Sequence, residues 1–320
     1  MPADAEPGAL DSLERALVLL GDRWNLMIIR GALQGAFRYQ DWKSTLPLSD
    51  PVLTTRLRDL VADGMLCTRV YSRSPVRKGY YLTSAGKDLW RLFVALHGWD
   101  MRWGTTSGRA PVPRLIHLSC GQEAAPQLCC ASCGAAGVGP RDTTAHRTAG
   151  RGLGMANPPR RYRRSAQVGD FRIPDSIEVI GDRWSTAVLS ASLLGTRRFG
   201  DFQRLLTPVP PGTLTERLGM FAAQGVLAKQ PITVGGKREE YRLTAKGLDF
   251  FPVFAVLVDW ATQWITAGPV PLVIRHQACG ERFIPSFACT ACGVVLVGSA
   301  ISMQARYQAG LKPVEHRHEA

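Results

Sequence analysis

Apolar positions in the first third of the chain recur at helical spacing and then switch to alternation. Leu13 to Leu20 is a short apolar stretch closed by Gly21, and Trp24 to Leu33 a second, closed by Gly35; both predict helices. Tyr39 to Leu46 places Trp42 and Leu46 on one face at i, i+4. Ser49 or Asp50 can cap the next helix, with Pro51 in its first turn, where a missing N–H costs nothing. That helix runs to Ala62, buries Leu53, Leu57 and Leu60, and stops at Asp63-Gly64. Met65 to Val70 and Lys78 to Leu82 alternate or run β-branched and aromatic, so they predict a hairpin whose basic tip is 71–77. Ser84 then opens a long aromatic helix to about Trp103.

The same series recurs about 160 residues later. Gly21-Asp22-Arg23-Trp24 returns as Gly181-Asp182-Arg183-Trp184, and Leu53-Thr54-Thr55-Arg56-Leu57 as Leu214-Thr215-Glu216-Arg217-Leu218. Trp99 and Trp103 return as Trp260 and Trp264, and His117-Leu118-Ser119-Cys120-Gly121 as His276-Gln277-Ala278-Cys279-Gly280. Short blocks repeated in one order mean two copies of one unit, with small loop indels between them. The expected fold class is mainly α with small β (α+β): two winged helix–turn–helix domains in tandem, each followed by a small zinc-ribbon-like module. The expected boundaries are 1–9 as a disordered start, 10–106 and 171–267 as winged domains, and 112–138 and 271–300 as ribbon modules. A basic flexible linker covers 139–170 and a tail 301–320.

A helix fits the DNA major groove, the preceding helix braces it, and a hairpin tip reaches neighbouring phosphates. Opposite the leucine stripe, the helix 51–62 carries Thr54, Thr55, Arg58 and Asp59, with Arg56 on its flank. Ser49, Val52, Arg73, Arg77 and Lys78 complete the first candidate DNA face. The second copy supplies Thr213, Thr215, Arg217, Lys237 and Arg238, but Glu216 and Gly219 stand where Thr55 and Arg58 stand. An acidic residue on a groove-facing helix repels phosphate, so the second copy is expected to read DNA more weakly.

Leu19-Leu20-Gly21-Asp22-Arg23-Trp24, the Asp41-Trp42 segment, the Leu53/Arg56/Leu57/Leu60 series ending in Gly64-Met65-Leu66, and Tyr81-Leu82-Thr83 with Gly86 are the relevant motifs. Together they resemble HxlR-type transcriptional regulators, relatives of the MarR group. The resemblance covers about 10–105 and again 172–266. It implies a bacterial DNA-binding repressor or activator, normally a homodimer joined by its terminal helices. Here one chain carries both domains, so a monomeric pseudo-dimer is expected in place of a homodimer. It would bind double-stranded DNA at an imperfect inverted repeat with half-sites ~34 Å apart.

The chain has 320 residues, 45% of them hydrophobic, which is enough for packed cores and excludes wholesale disorder. No apolar run reaches the ~18 residues of a membrane span, and the acidic start lacks a secretory pattern. A cytoplasmic location without membrane contact is expected, with reduced cysteines. The formal charge is +13, and residues 107–170 hold nine basic against three acidic side chains. That segment is a solvated tether or one that also touches phosphates.

The cysteines fall into two similar runs. His117-x2-Cys120-x9-Cys130-x2-Cys133-Gly134 and His276-x2-Cys279-x9-Cys289-x2-Cys292-Gly293 each offer a Cys3His set. Two such runs suit two structural zinc ions, one per run, in closed tetrahedral shells with no place for catalytic water. Cys67 is expected in the core, and Cys129 is an alternative ligand or a free thiol. No phosphate loop, nucleophile elbow or dinucleotide fingerprint is present, which argues against an enzyme. The aromatic helices 89–103 and 249–265 read as core and dimer interface, or as a pocket for a small aromatic effector. Two other roles fit the same residues: a protein-binding scaffold using the ribbons, and a thiol- or metal-responsive sensor.

Overall fold

The computed structural model describes residues 12–104, 112–147, 173–233, 236, 238–265 and 272–304. In the first copy, α1 (Ser12–Leu20), α2 (Arg23–Leu33), α3 (Tyr39–Thr45) and α4 (Asp50–Ala62) precede the antiparallel wing β1 (Leu66–Arg73) and β2 (Val76–Leu82). The wing strands run further out than the alternation predicts. Ser72 donates to the Pro75 carbonyl, Tyr71 stands edge-on to Phe37, and only Ser74 and Pro75 remain as the turn. The helix expected from Ser84 to Trp103 is divided at Leu89 into α5 (Ser84–Asp88) and α6 (Trp90–Trp103). Leu89 is fully buried, and its carbonyl accepts from Leu92 three residues on, a tighter turn than the α-helix makes.

Four strands follow: β3 (Arg114–His117), β4 (Gln122–Glu123), β5 (Pro126–Cys130) and β6 (Thr143–Arg147). The last lies inside the segment read as a flexible linker, so ordered chain extends at least to 147. The second copy repeats the plan as α7 (Asp175–Ile180), α8 (Arg183–Leu193), α9 (Phe199–Leu205), α10 (Pro211–Ala223), the wing β7 (Leu227–Pro231) and β8 (Glu239–Leu243), α11 (Ala245–Leu248) and α12 (Phe251–Trp264). It ends in β9 (Leu272–His276), β10 (Pro285–Cys289) and β11 (Ile301–Gln304).

The buried side chains form one continuous cluster through both copies. Helix α1 packs on α12, α7 packs on α6, and α6 packs on α12, so each copy receives helices of the other. The indoles lock this exchange reciprocally. Trp99 Nε1 donates to the Lys246 carbonyl and Trp260 Nε1 to that of Ala85, both at 3.0 Å. Trp103 Nε1 reaches Asp249 at 2.6 Å and Trp264 Nε1 reaches Asp88 at 2.9 Å. The two Gly-Asp-Arg-Trp segments meet each other: Asp22 bridges Asp182, and Arg23 N–H donates to the Gly181 carbonyl. A Cβ on Gly21 would lie 2.3 Å from the Leu17 carbonyl oxygen and 2.7 Å from Arg183 Cα, so only glycine fits there.

One interface feature has no mirror image. Arg91 on α6 binds Asp88 at 2.6 Å, Asp259 on α12 at 2.8 Å and the Pro285 carbonyl at 3.2 Å. Arg282 also binds Asp259, at 2.6 Å, and that carboxylate is only 5% exposed. The repeat places Pro252 opposite Arg91 and Gly98 opposite Asp259, so the network exists on one side only.

Candidate metal centres and nucleic-acid interface

Every strand pair in the ribbon region except β3–β4 crosses between copies. β5 pairs with β10, β3 with β11 and β6 with β9, all antiparallel. In the first of these registers Cys130 faces Pro285 and Cys289 faces Pro126. The crossing redistributes the ligands. One group is His117, Cys120, Cys289 and Cys292; the other is Cys130, Cys133, His276 and Cys279. The expectation of one complete set within each copy is therefore corrected: each set takes two residues from each copy. Within each group the candidate ligand atoms lie within 4.8 Å of one another. His117 Nδ1 is 3.3 Å from the sulfurs of both Cys120 and Cys292, and Cys120 Sγ is 4.0 Å from Cys289 Sγ. His276 Nδ1 is 3.3 Å from Cys133 Sγ and 3.4 Å from Cys279 Sγ. A tetrahedral centre with metal–sulfur bonds of ~2.3 Å has edges of roughly 3.5–3.8 Å, close to these separations.

Each ligand pair sits on a tight turn closed by glycine. Gly121, Gly134, Gly280 and Gly293 have φ between +69° and +75°, and their N–H groups return to the carbonyls of His117, Cys130, His276 and Cys289. That left-handed geometry costs glycine nothing and lets the chain reverse around the ligands. Burial disfavours the thiolates of Cys130 and Cys289. Backbone N–H groups aimed at the sulfurs, from Ser132 and Cys133 and from Cys292 and Ala291, outweigh it, and both thiols sit below their ordinary range. His117 and His276 are 1% and 3% exposed. In each group one cysteine and the histidine are buried, one cysteine is half-buried and one, Cys133 or Cys292, is exposed. Converging sulfur and imidazole donors with N–H groups on sulfur fit a thiophilic metal ion. Cys129 belongs to neither group: its sulfur lies against the Gln127 carbonyl. Cys67 pairs with Tyr81 in the wing and is half-buried, short of the full burial expected of a core residue.

On the first winged domain, Ser49, Val52, Thr54 and Arg58 are exposed and Thr55 half-exposed along α4. Asp50, at the start of α4, accepts from the Tyr39 hydroxyl at 2.6 Å and pairs with Lys43. Tyr39 first, then Lys43, holds the Asp50 carboxyl below the usual range. This brace ties α3 to α4. Arg73, Arg77 and Lys78 are exposed on the wing, whose residues 66–82 contain no acid. The second copy differs at each point. Phe199, Gln203 and Pro211 replace the three members of the brace. Glu216 on α10 is held by Arg217, and the second wing pairs Lys229 with Glu239 and Arg242 with Glu240. Thr215 and Arg238 are exposed there and Thr213 is half-buried; Lys237 lies outside the described residues.

The HxlR-like helix-turn-helix family model matches residues 19–107 and 179–269. This chain belongs to the HxlR family. An uncharacterized HTH-type transcriptional regulator of Mycobacterium tuberculosis is 39% identical over 124 residues, 39% of this chain and 78% of the relative. YvaP of Bacillus subtilis, also an HTH-type transcriptional regulator, is 30% identical over 29% of this chain and 87% of its own length. A proposed transcription factor of Pseudomonas aeruginosa with a solved structure is 28% identical over 39% of this chain and 84% of its own, with a TM-score of 0.30; at that score the structural likeness adds nothing to the sequence match. The chain is thus a transcriptional regulator with two HxlR helix-turn-helix regions in tandem. Both Cys/His runs lie beyond the matched HxlR stretches. No helix among the described residues is long and apolar enough to cross a membrane.

Two residues read from the sequence as DNA contacts sit elsewhere. Arg56 is 4% exposed and binds Asp22 at 2.8 Å and Asn25 at 2.9 Å. Asp22 is the N-cap of α2 and accepts from the N–H groups of Trp24 and Asn25. Arg217 repeats this at 3.1 Å to Asp182, the N-cap of α8. Both arginines anchor the recognition helix to the helix behind it. The signal was available: Asp22 and Arg56 recur together as Asp182 and Arg217.

Proposed function

We propose that this HxlR protein is a sequence-specific regulator that binds double-stranded DNA with both winged domains of one chain, as a covalent pseudo-dimer on an imperfect inverted repeat. The observation that carries the reading is the reciprocal exchange of α1, α6, α7 and α12 between the copies, joined to an acid-free basic wing. In the first copy Thr54, Thr55 and Arg58 face base edges, with Val52 against a thymine methyl. Ser49, Arg73, Arg77 and Lys78 take phosphates. In the second, Thr213, Thr215, Arg238 and Lys237 do this with less net positive charge, so the half-site under the first copy is the stricter.

Two zinc ions complete the proposal, one held by His117, Cys120, Cys289 and Cys292 and one by Cys130, Cys133, His276 and Cys279. With four protein ligands each, the ions supply cross-linking and no reactive water. The test is a footprint on the chain's own upstream region with light scattering at the same concentration. A monomeric chain protecting two unequal, inverted half-sites is the expected result. A dimer of chains covering four half-sites, or one isolated half-site, sinks the pseudo-dimer.

A further inference from the structure

We infer that the two metal centres are functionally unequal, and that the one formed by Cys130, Cys133, His276 and Cys279 sets the packing of α6 against α12, and through it the DNA-reading geometry. The inference rests on the reading above that both groups hold metal. Ser132, between the ligands Cys130 and Cys133, donates to the Arg282 carbonyl at 3.1 Å. Arg282 follows the ligand Cys279 by three residues and binds Asp259 on α12 at 2.6 Å. Asp259 is also held by Arg91 on α6, and Arg91 reaches the carbonyl of Pro285, the strand partner of the ligand Cys130. Asp88 closes the run, taking Arg91 on one side and the Trp264 indole on the other. A continuous set of charge-assisted hydrogen bonds thus leads from this centre to both interface helices.

The other centre lacks three charged members of that run; Asp88 alone keeps a counterpart, Asp249, which takes Arg102 and the Trp103 indole. Glu123 stands where Arg282 stands and pairs with Arg114 on its own strand pair. Gly98 replaces Asp259, and a Cβ there would lie 3.7 Å from Pro126 Cγ. Pro252 replaces Arg91. A change at His117, Cys120, Cys289 or Cys292 therefore meets no arginine–aspartate pair equivalent to Arg282–Asp259; it reaches α6 through β10, the strand of Cys289, whose Pro285 carbonyl takes Arg91. Opening the centre of Cys130, Cys133, His276 and Cys279 frees the turn that aims Arg282, removing one of two cations from a buried carboxylate shared by both helices. Arg282 and Arg91 are positioning residues in this scheme.

The experiment compares Cys133→Ser with Cys292→Ser, equivalent positions of the two centres, in the full chain. Metal content, hydrogen exchange of peptides spanning 84–103 and 251–264, and DNA affinity are measured together. Each variant should lose one equivalent of metal. Only Cys133→Ser should speed exchange in both helices and weaken DNA binding by about tenfold, within the usual range of coupling between sites. Arg282→Gln, which keeps all eight ligands, should retain two equivalents of metal and still reproduce the faster exchange. Equal effects of the two cysteine variants, or unchanged exchange in Arg282→Gln, overturn the inference. If the parent binds no DNA, the regulator reading fails, while the exchange contrast still decides this one. A parent without metal overturns both the metal reading and the inequality.

Discussion

One carboxylate, Asp22, holds both helices of the first reading head. It caps α2 and takes the buried Arg56 from α4. Arg56→Ala should therefore lower unfolding stability by about 2–4 kcal/mol in urea titrations, the cost of breaking a largely buried pair. The salt slope of DNA binding should stay unchanged in that variant. Arg58→Ala should do the opposite: stability within about 0.5 kcal/mol of the parent, and a salt slope reduced by about 1. The amphipathic stripe of α4 was legible in the sequence, since Leu53, Leu57 and Leu60 are all fully buried. Arg56 was misread because periodicity places a side chain on a flank without saying what stands behind it. Its partner is 34 positions away, and only the folded contact between α2 and α4 makes the flank an interior.

At the scale of elements, the two wings have diverged in charge. The first carries four basic residues and no acid over 66–82, and the second four basic and two acidic residues over 227–243. The pairings of Lys229 with Glu239 and Arg242 with Glu240 use up half of the second wing's positive charge. Replacing Arg73 and Arg77 together by Ala should reduce the salt slope by about 2, because two phosphate contacts are lost. The single change Arg238→Ala should reduce it by less than about 1, read by fluorescence anisotropy over a salt series. Helices, wings and turns were readable from periodicity, caps and glycine stops. The division at Leu89 was not, because the apolar pattern runs through it without interruption.

In the whole molecule, the interleaved ribbons make the halves interdependent. The sequence could not distinguish a self-contained Cys3His set from a crossed one, since each copy supplies the same pair types at the same spacing. Only the strand pairing of β5 with β10 and of β3 with β11 decides it. If a protease site is placed between 148 and 172 and cut, the halves should still elute together. Chelator should then release metal and lower the unfolding temperature of the cut protein far more than that of the intact one, because binding of the ions contributes folding free energy. Metal retention should also fall as pH drops, since thiolates and neutral imidazoles must give way to protonated forms. The contact between the two Gly-Asp-Arg-Trp segments has a different kind of consequence. A regulator made of identical subunits is bound to a palindrome, because any change in one reading helix appears in both. Here the parts that touch the other copy, such as Gly21 against Arg183 and Trp99 against Lys246, face a double constraint on what they can become. The reading-helix positions Thr55 and Glu216, and Arg58 and Gly219, have already diverged. Under the function proposed above, each head is free to acquire its own half of an unsymmetrical operator one substitution at a time.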